Sequence, residues 1–228
     1  MSEIKIAPSI LAWDLGDLEG AIQISVKGGA DQVHLDIIDG HFAPNITFGP
    51  GTVKALRGRC ELKFDTHLMI DSPQVYVDKF LEAGSDLLTF HAEVLTGTKF
   101  DDLYRAVHAN GGEMGLAIKP ETEFPGWAED RLDKISTIVV MTVNPGFSGQ
   151  TMDKSVMPKL QKISALVGNR GLPTDIEVDG GVEPENVQEV VKSGGNVLVA
   201  GAGVFGKKDP VNAISVLRER AMEVKKAQ

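Results

Sequence analysis

Eight short apolar runs alternate with amphipathic stretches of helical period along the whole chain, which predicts an α/β protein of the (β/α)8 TIM-barrel class. Two further observations point the same way. The apolar runs are rich in Ile, Val and Leu and often continuous, as in strands buried on both faces. The polar residues able to carry chemistry gather at the C-terminal ends of those runs, the face on which such barrels place their sites. An open doubly wound sheet is the competing architecture. It usually needs fewer strands at this length, and no G-x-G-x-x-G follows the first run. The 228 residues suffice for one large core, and no linker or low-complexity tract interrupts them, so a single domain is expected over 1–228.

The elements follow in order. A strand over 5–11 leads to a helix over 15–27, and Gly28-Gly29 supplies the left-handed stop. A strand over 32–37 precedes a helix over 52–57, and a strand over 62–69 precedes a helix over 74–83 that ends at Gly84. Pro73 stands at that helix start, where a missing N–H is harmless, with Ser72 as its N-cap. The fourth unit pairs 87–91 with 100–110, closed by Gly111-Gly112. The fifth pairs 113–118 with the weakest helical stretch, 124–130. The sixth pairs 137–141 with 155–167, and the seventh pairs 175–179 with 185–192, where Pro184 opens the helix and Gly194-Gly195 ends it. The eighth pairs 197–200 with 211–225, behind Asp209 as N-cap and Pro210. Gly29-Ala30-Asp31, Ala83-Gly84-Ser85-Asp86 and Gly194-Gly195-Asn196 repeat one helix-to-strand turn.

The net charge is −9, from 23 basic and 32 acidic residues, which opposes nucleic-acid or anionic-membrane binding. An anionic ligand must therefore be bound by local groups. One cysteine, Cys60, allows no internal disulfide and fits a reducing compartment. No secretory apolar region opens the chain, and no segment reaches the ~20 apolar residues of a membrane span. A cytoplasmic protein without nucleic-acid or membrane partners is expected.

His34 and Asp36 end the second strand two residues apart, so they share a face. Asp65, His67 and Met69 share a face of the third by the same parity, and Asp179 ends the seventh. Turned inward, His34, Asp36, His67 and Asp179 form a cage of two nitrogens and two oxygens. It suits Zn²⁺, Fe²⁺, Mn²⁺ or Co²⁺ better than Mg²⁺ or Ca²⁺. Each residue alone has a blander reading, as a hydrogen-bonded core histidine or a helix-capping aspartate; four at matching strand ends favour a site. Ser9 is placed late in the first strand. Asp39 before Gly40 is expected to shape a turn, His108 to be a surface residue, and Lys119 to be a rim charge. His41, His91 and Glu93 have no assigned role.

Glycines form a second constellation. Gly180-Gly181 and Gly201-Ala202-Gly203 follow the seventh and eighth strands, where such barrels commonly hold a phosphate on backbone N–H groups. Tight turns account for glycine pairs as well. Gly146-Phe147-Ser148-Gly149 follows the sixth strand and reads either as a mobile lid or as an ordinary flexible loop.

With these residues placed, the chain resembles the ribulose-phosphate 3-epimerase family along essentially its whole length. The matching motifs are Ala7-Pro8-Ser9-Ile10-Leu11, the run from His34 to Asn45, Phe64-Asp65-Thr66-His67-Leu68-Met69, Gly115-Leu116-Ala117-Ile118-Lys119-Pro120, the run from Val140 to Gln150, and Glu177-Val178-Asp179-Gly180-Gly181. The resemblance implies a barrel of the ribulose-phosphate-binding type. It implies interconversion of D-ribulose 5-phosphate and D-xylulose 5-phosphate in the pentose phosphate pathway, with one divalent metal per subunit and no organic cofactor. By the same resemblance His34, Asp36, His67 and Asp179 bind the metal, and Asp36 and Asp179 are the acid/base pair. Ser9 and His67 touch substrate, Gly146, Phe147, Ser148 and Gly149 form the closing loop, and Gly180, Gly181, Gly201 and Ala202 hold the phosphate. Family members associate, which suggests a homo-oligomer. The chemistry fits the residues: inverting a carbon beside a ketone through a 2,3-enediolate needs a carboxylate on each face and positive charge near the oxygens.

Three positions depart from the family pattern. Ile38 replaces a methionine, which thins the lining that Met69 and Met141 would give; core packing explains those two methionines equally well. Ala202 replaces a serine, so a hydroxyl donor is lost and weaker phosphate binding is expected. Ser148 replaces a glycine and should be tolerated. Other readings are an allulose-6-phosphate 3-epimerase and the decarboxylase and hexulose-phosphate synthase group. The latter carries D-x-K-x-x-D where this chain has Glu61-Leu62-Lys63-Phe64-Asp65-Thr66. A metal-dependent hydrolase would more typically show H-x-H on the first strand, where Pro8-Ser9-Ile10 stands. A non-catalytic sugar-phosphate binder would need no opposed carboxylates.

Overall fold

The eight apolar runs form one parallel sheet in the computed structural model, which describes residues 3–226. The strands are β1 (Lys5–Pro8), β2 (Gln32–Ile38), β3 (Lys63–Met69), β4 (Leu87–His91), β5 (Glu113–Ile118), β6 (Thr137–Met141), β7 (Asp175–Asp179) and β8 (Val197–Ala200). From β2 to β8 each strand pairs with its neighbours in sequence, and β1 pairs with β8. A single parallel bridge, Ser9 to His34, joins β1 to β2 and nearly closes the barrel.

Outward-facing residues such as Val33, Leu35, Phe64, Leu68, Phe90 and Val140 are buried against the helices in one continuous core. Inward positions divide by chemistry. Ala7, Val197 and Val199, with Ala117, Val139 and Met141, fill one side with small apolar groups. The β2–β3–β7 side is polar: Gln32, His34, Asp36, Asp65, His67, Glu177 and Asp179 are all buried. Such burial is sustained only when these groups satisfy one another or a ligand.

The helices are α1 (Leu18–Lys27), α2 (Pro50–Arg57), α3 (Val77–Glu82), α4 (Gly97–Ala109), α5 (Gly126–Glu129), α6 (Met157–Asn169), α7 (Val187–Lys192), α8 (Ala202–Phe205) and α9 (Pro210–Lys226). Each terminal glycine motif holds one left-handed residue, with φ of 71° at Gly29, 100° at Gly84, 75° at Gly111 and 103° at Gly194. No helix is long and apolar enough to cross a membrane among the described residues.

Several boundaries differ from the sequence reading. β1 stops at Pro8, so Ser9 lies just past the strand, and a 3-10 turn follows at Ile10–Ala12. Ile10 is apolar because it is buried in the outer core, not because it belongs to the ladder. α1 begins at Leu18 because Asp14 caps a preceding turn through Gly16 N–H and Asp17 accepts from Gly20 N–H. Ser72 makes no side-chain cap; its segment opens as a 3-10 turn, and α3 starts only after Tyr76. Pro184 sits in a turn ahead of α7, where Asn186 accepts from Glu183 N–H and donates to the Gly181 carbonyl. The stretch 124–130 contracts to the four-residue α5. Asp209 does cap α9, accepting from Asn212 N–H.

Lys159 of α6 was not singled out by the sequence, yet it ties down the β5 loop. Its nearly buried ammonium donates to the carbonyls of Lys119, Pro120 and Thr122 at 2.7–2.9 Å. Lys159→Met should cost about 2–4 kcal/mol, since three charge-assisted bonds go and water recovers only part of them. Urea denaturation checks this, and an unchanged midpoint would mean that solvent replaces the ammonium fully.

Candidate active site

The parallel register sets Asp36 beside His67 and His34 beside Asp65 across β2 and β3. β7 delivers Asp179 and Glu177 to the same interior. The interior side chains thus form two storeys, with Asp36, His67 and Asp179 above Asp65 and Glu177 and the His34 ring spanning both. The upper one contains His34, Asp36, His67 and Asp179, with one potential ligand atom from each lying within 4.8 Å of the others. His34 Nε2 is 3.5 Å from Asp36 Oδ1 and 3.9 Å from Asp179 Oδ2, and His67 Nδ1 is 3.4 Å from Asp179 Oδ2. Both nitrogens are buried and neither has a hydrogen-bond partner among the described residues. Two imidazole nitrogens turned toward two carboxylates, without hydrogen bonds of their own, are a donor set that fits a divalent ion.

The lower storey was missed as a functional layer. His34 Nδ1 lies 2.7 Å from Asp65 Oδ2 and 3.2 Å from Glu177 Oε1, and Gln32 Nε2 donates to Asp65 at 3.1 Å. The signal was available: Gln32, Glu177 and Asp65 each stand two residues before an upper-storey ligand on the same strand face. Burial pushes the His34 imidazole down, but the charges of Asp65 and Asp36 more than offset it and hold it well above its usual value. Burial pushes Asp36 up, and His34, His67 and the Ser9 hydroxyl overcome this and hold its carboxyl low. Burial and the Asp65 charge raise Glu177 to about 8, so it is the protonated member of the lower pair at neutral pH. A proton on His34 facing Asp36 and Asp179 occupies the position a divalent ion would take, so ion uptake must displace it.

The cavity above is lined by Ser9, Asp36, Ile38, Met69, Met141, Asp179, Gly180, Gly181, Gly201 and Ala202, together with Gly146, Phe147, Ser148 and Gly149. His34 and His67 lie beneath this lining, fully buried. Ser9 Oγ donates to Asp36 Oδ2 at 2.5 Å, fixing that carboxylate from the β1 side. The tight-turn reading of the glycines has direct support. Gly181 has φ of 61°, and a Cβ there would meet Met152 N at 2.5 Å. A Cβ on Gly203 would meet the Val182 carbonyl at 2.2 Å. Asp39 shapes a turn, accepting from His41 and Phe42 N–H, and His108 is exposed. Lys119 Nζ lies over the Phe42 ring, 4.1 Å from its centroid.

The β6 loop is held over the cavity. Asn45 Nδ2 donates to the Gly146 carbonyl at 2.8 Å, and Gln150 Nε2 donates to the carbonyls of Asn144 and Phe147. Phe147 itself is 57% exposed. Asn45→Ala should raise KM about fivefold, the worth of one hydrogen bond of about 1 kcal/mol holding the loop. Steady-state kinetics checks it, and an unchanged KM would show that the latch does not govern substrate retention.

A family model described as the ribulose-phosphate 3 epimerase family matches residues 5–205. The chain belongs to that family. Ribulose-phosphate 3-epimerase of Bacillus subtilis is 41% identical over 219 residues, covering 94% of this chain and 98% of that protein. Ribulose-phosphate 3-epimerase of Rhodobacter capsulatus is 44% identical over 203 residues, covering 89% of this chain and 86% of that protein. Among solved structures, 3-keto-L-gulonate-6-phosphate decarboxylase from Vibrio cholerae superposes with a TM-score of 0.73 at 16% identity, covering 98% of this chain and 99% of that one. That likeness is one of fold. The two-storey cluster therefore sits in an enzyme of the ribulose-phosphate 3-epimerase type, and its buried histidines and carboxylates are able to hold a metal ion.

Proposed function

We propose that this epimerase interconverts D-ribulose 5-phosphate and D-xylulose 5-phosphate, with Asp36 and Asp179 exchanging the carbon-3 proton on opposite faces of the sugar. The observation that carries this reading is the convergence of those two carboxylates, from β2 and β7, on one cavity above two buried imidazoles. Asp36 is fixed by Ser9, so its free oxygen has a defined direction. Asp179 takes the other face. One carboxyl removes the proton while its counterpart returns one, and the roles swap for the reverse reaction. His34, Asp36, His67 and Asp179 would hold one divalent ion, of the Zn²⁺, Fe²⁺, Mn²⁺ or Co²⁺ kind. Such an ion supplies positive charge that stabilises the enediolate. Gly180, Gly181, Gly201 and Ala202 face the phosphate, and the β6 loop, latched by Asn45, shields the proton transfers from water.

The lyase reading is disfavoured by Lys63, whose ammonium pairs with Glu113 at 2.7 Å at the N-terminal end of the barrel, away from the cavity. The deciding experiment is proton NMR of D-ribulose 5-phosphate with metal-loaded protein in deuterated water. D-xylulose 5-phosphate carrying deuterium at carbon 3 is expected. Folded, metal-loaded protein that gives neither product nor exchange would reject this substrate and bring allulose 6-phosphate forward.

A further inference from the structure

His67 faces the cluster with Nδ1, and its second nitrogen enters a line of polar groups that leads away from the cavity. His67 Nε2 lies 2.9 Å from His91 Nε2. The ring planes are within 15° and the centroids are 4.9 Å apart, so the nitrogens stand closer than the centroids and the rings meet edge to edge. His91 Nδ1 lies 2.8 Å from Glu93 Oε2, and Glu93 Oε1 accepts the Lys119 backbone N–H at 2.7 Å. Both imidazoles are fully buried, and the Phe42 ring covers His91 at 4.4 Å.

The line has a polarity that can be worked out from its far end. The Lys119 N–H can only donate, so it engages one Glu93 oxygen. The other oxygen of a carboxylate can only accept, so His91 carries its proton on Nδ1. One proton then lies between the two Nε2 atoms. Placed on His67, it leaves His91 neutral and accepting, and it leaves His67 Nδ1 with a lone pair directed at the cluster. Placed on His91, it would make a buried imidazolium.

We propose that Glu93 and His91 are positioning residues for this enzyme: together they fix the His67 proton on Nε2 and so keep Nδ1 available to bind a metal ion. This rests on the metal reading of the cluster given above. It assigns a role to a β4 segment that neither lines the cavity nor supplies a metal ligand.

Glu93→Gln is the discriminating variant because it keeps the volume and reverses the polarity. Its amide oxygen goes to the Lys119 N–H, which cannot change. Its NH2 then faces His91 Nδ1, which must become the acceptor. The proton moves to His91 Nε2, His67 Nε2 must accept, and Nδ1 becomes protonated toward the cluster. Glu93→Ala removes the orienting acceptor without imposing the reversed order.

The test is Co²⁺ titration of the metal-free full chain by visible absorption, with ¹⁵N NMR of the histidine rings before metal is added. In the wild type, the His67 proton is expected on Nε2. Glu93→Gln should move it to Nδ1 and weaken Co²⁺ binding about ten- to a hundredfold, and Glu93→Ala should weaken binding less. A merely structural role gives the opposite order, because glutamine fills the space and alanine does not. That opposite order, or a Glu93→Gln protein with wild-type affinity and ring shifts, overturns the relay while leaving the metal reading standing. A wild type that binds no Co²⁺ overturns both. Should Glu93→Gln fail to fold, His91→Phe keeps a ring against Phe42 and removes both nitrogens. At least a tenfold loss of Co²⁺ affinity is then expected, and wild-type affinity overturns the proposal.

Discussion

Asp179→Asn should lower turnover by about a thousandfold or more while leaving the barrel folded, because general acid–base groups contribute of that order and an amide cannot take up a proton at neutral pH. The fold should survive because the structural bonds at this position run through the backbone. The Asp179 carbonyl accepts from Thr142 N–H at 2.8 Å and from the Thr142 hydroxyl at 3.2 Å. Its carboxylate is turned toward His67 and His34, at 3.4 and 3.9 Å. Asparagine also brings an NH2 group to a place that suits an ion or a proton, so metal content must be measured beside turnover. A variant that retains metal and loses turnover isolates the proton-transfer role. Turnover within tenfold of wild type would sink the two-carboxylate mechanism, whatever the metal content.

The alternation of apolar runs and amphipathic stretches made the barrel legible, because a parallel sheet covered on both faces leaves an almost continuous Ile/Val/Leu record. Five strands, β4 to β8, have the bounds the sequence reading gives them. The errors gathered where burial and hydrogen bonding part company. Ile10 is buried and lies outside the ladder, and Ser72 precedes a proline without capping the helix beyond it. At the site, strand-end parity found the residues that the structure brings together as His34, Asp36, His67 and Asp179. It placed Asp65 on the His67 face without giving it a role, and it was not carried to Gln32 and Glu177, although the same alternation places them there. The relay through His91 and Glu93 was less accessible. It crosses from β3 to β4 through the relative height of two strands, and that height is fixed by register, with His67 opposite Thr89. No single-strand pattern records it. The Asn45 latch is similarly a contact between loops 101 residues apart in sequence.

The lower storey predicts how stability responds to pH, and Glu177→Gln tests it. Glu177 sits at about 8 in the folded protein because it is buried beside the Asp65 charge, against 4.5 when free of both. Below pH 4.5 it is protonated folded or unfolded and contributes no pH dependence. Between 4.5 and 8 the folded state holds a proton that the unfolded state has released, so stability falls as pH rises. Above 8 the loss is complete. Glutamine is neutral throughout and cannot suffer this loss, and its amide can still accept from Gln32, as Glu177 Oε2 does at 3.4 Å. Metal-free Glu177→Gln should therefore match wild type near pH 4 and exceed it by on the order of 2–4 kcal/mol at pH 8. Urea midpoints at the two pH values decide the matter. A gain of equal size at both would trace the effect to packing rather than to a buried proton. No gain at pH 8 would mean that Glu177 is ionised in the folded protein, and the protonated member of the pair would then have to be Asp65. The sign also bears on function. A carboxyl kept neutral beneath His34 leaves Asp65 as the only lower-storey carboxylate paired with Nδ1, at 2.7 Å. One anion orients the imidazole, whereas two would draw its proton downward and compete with the upper cluster for positive charge.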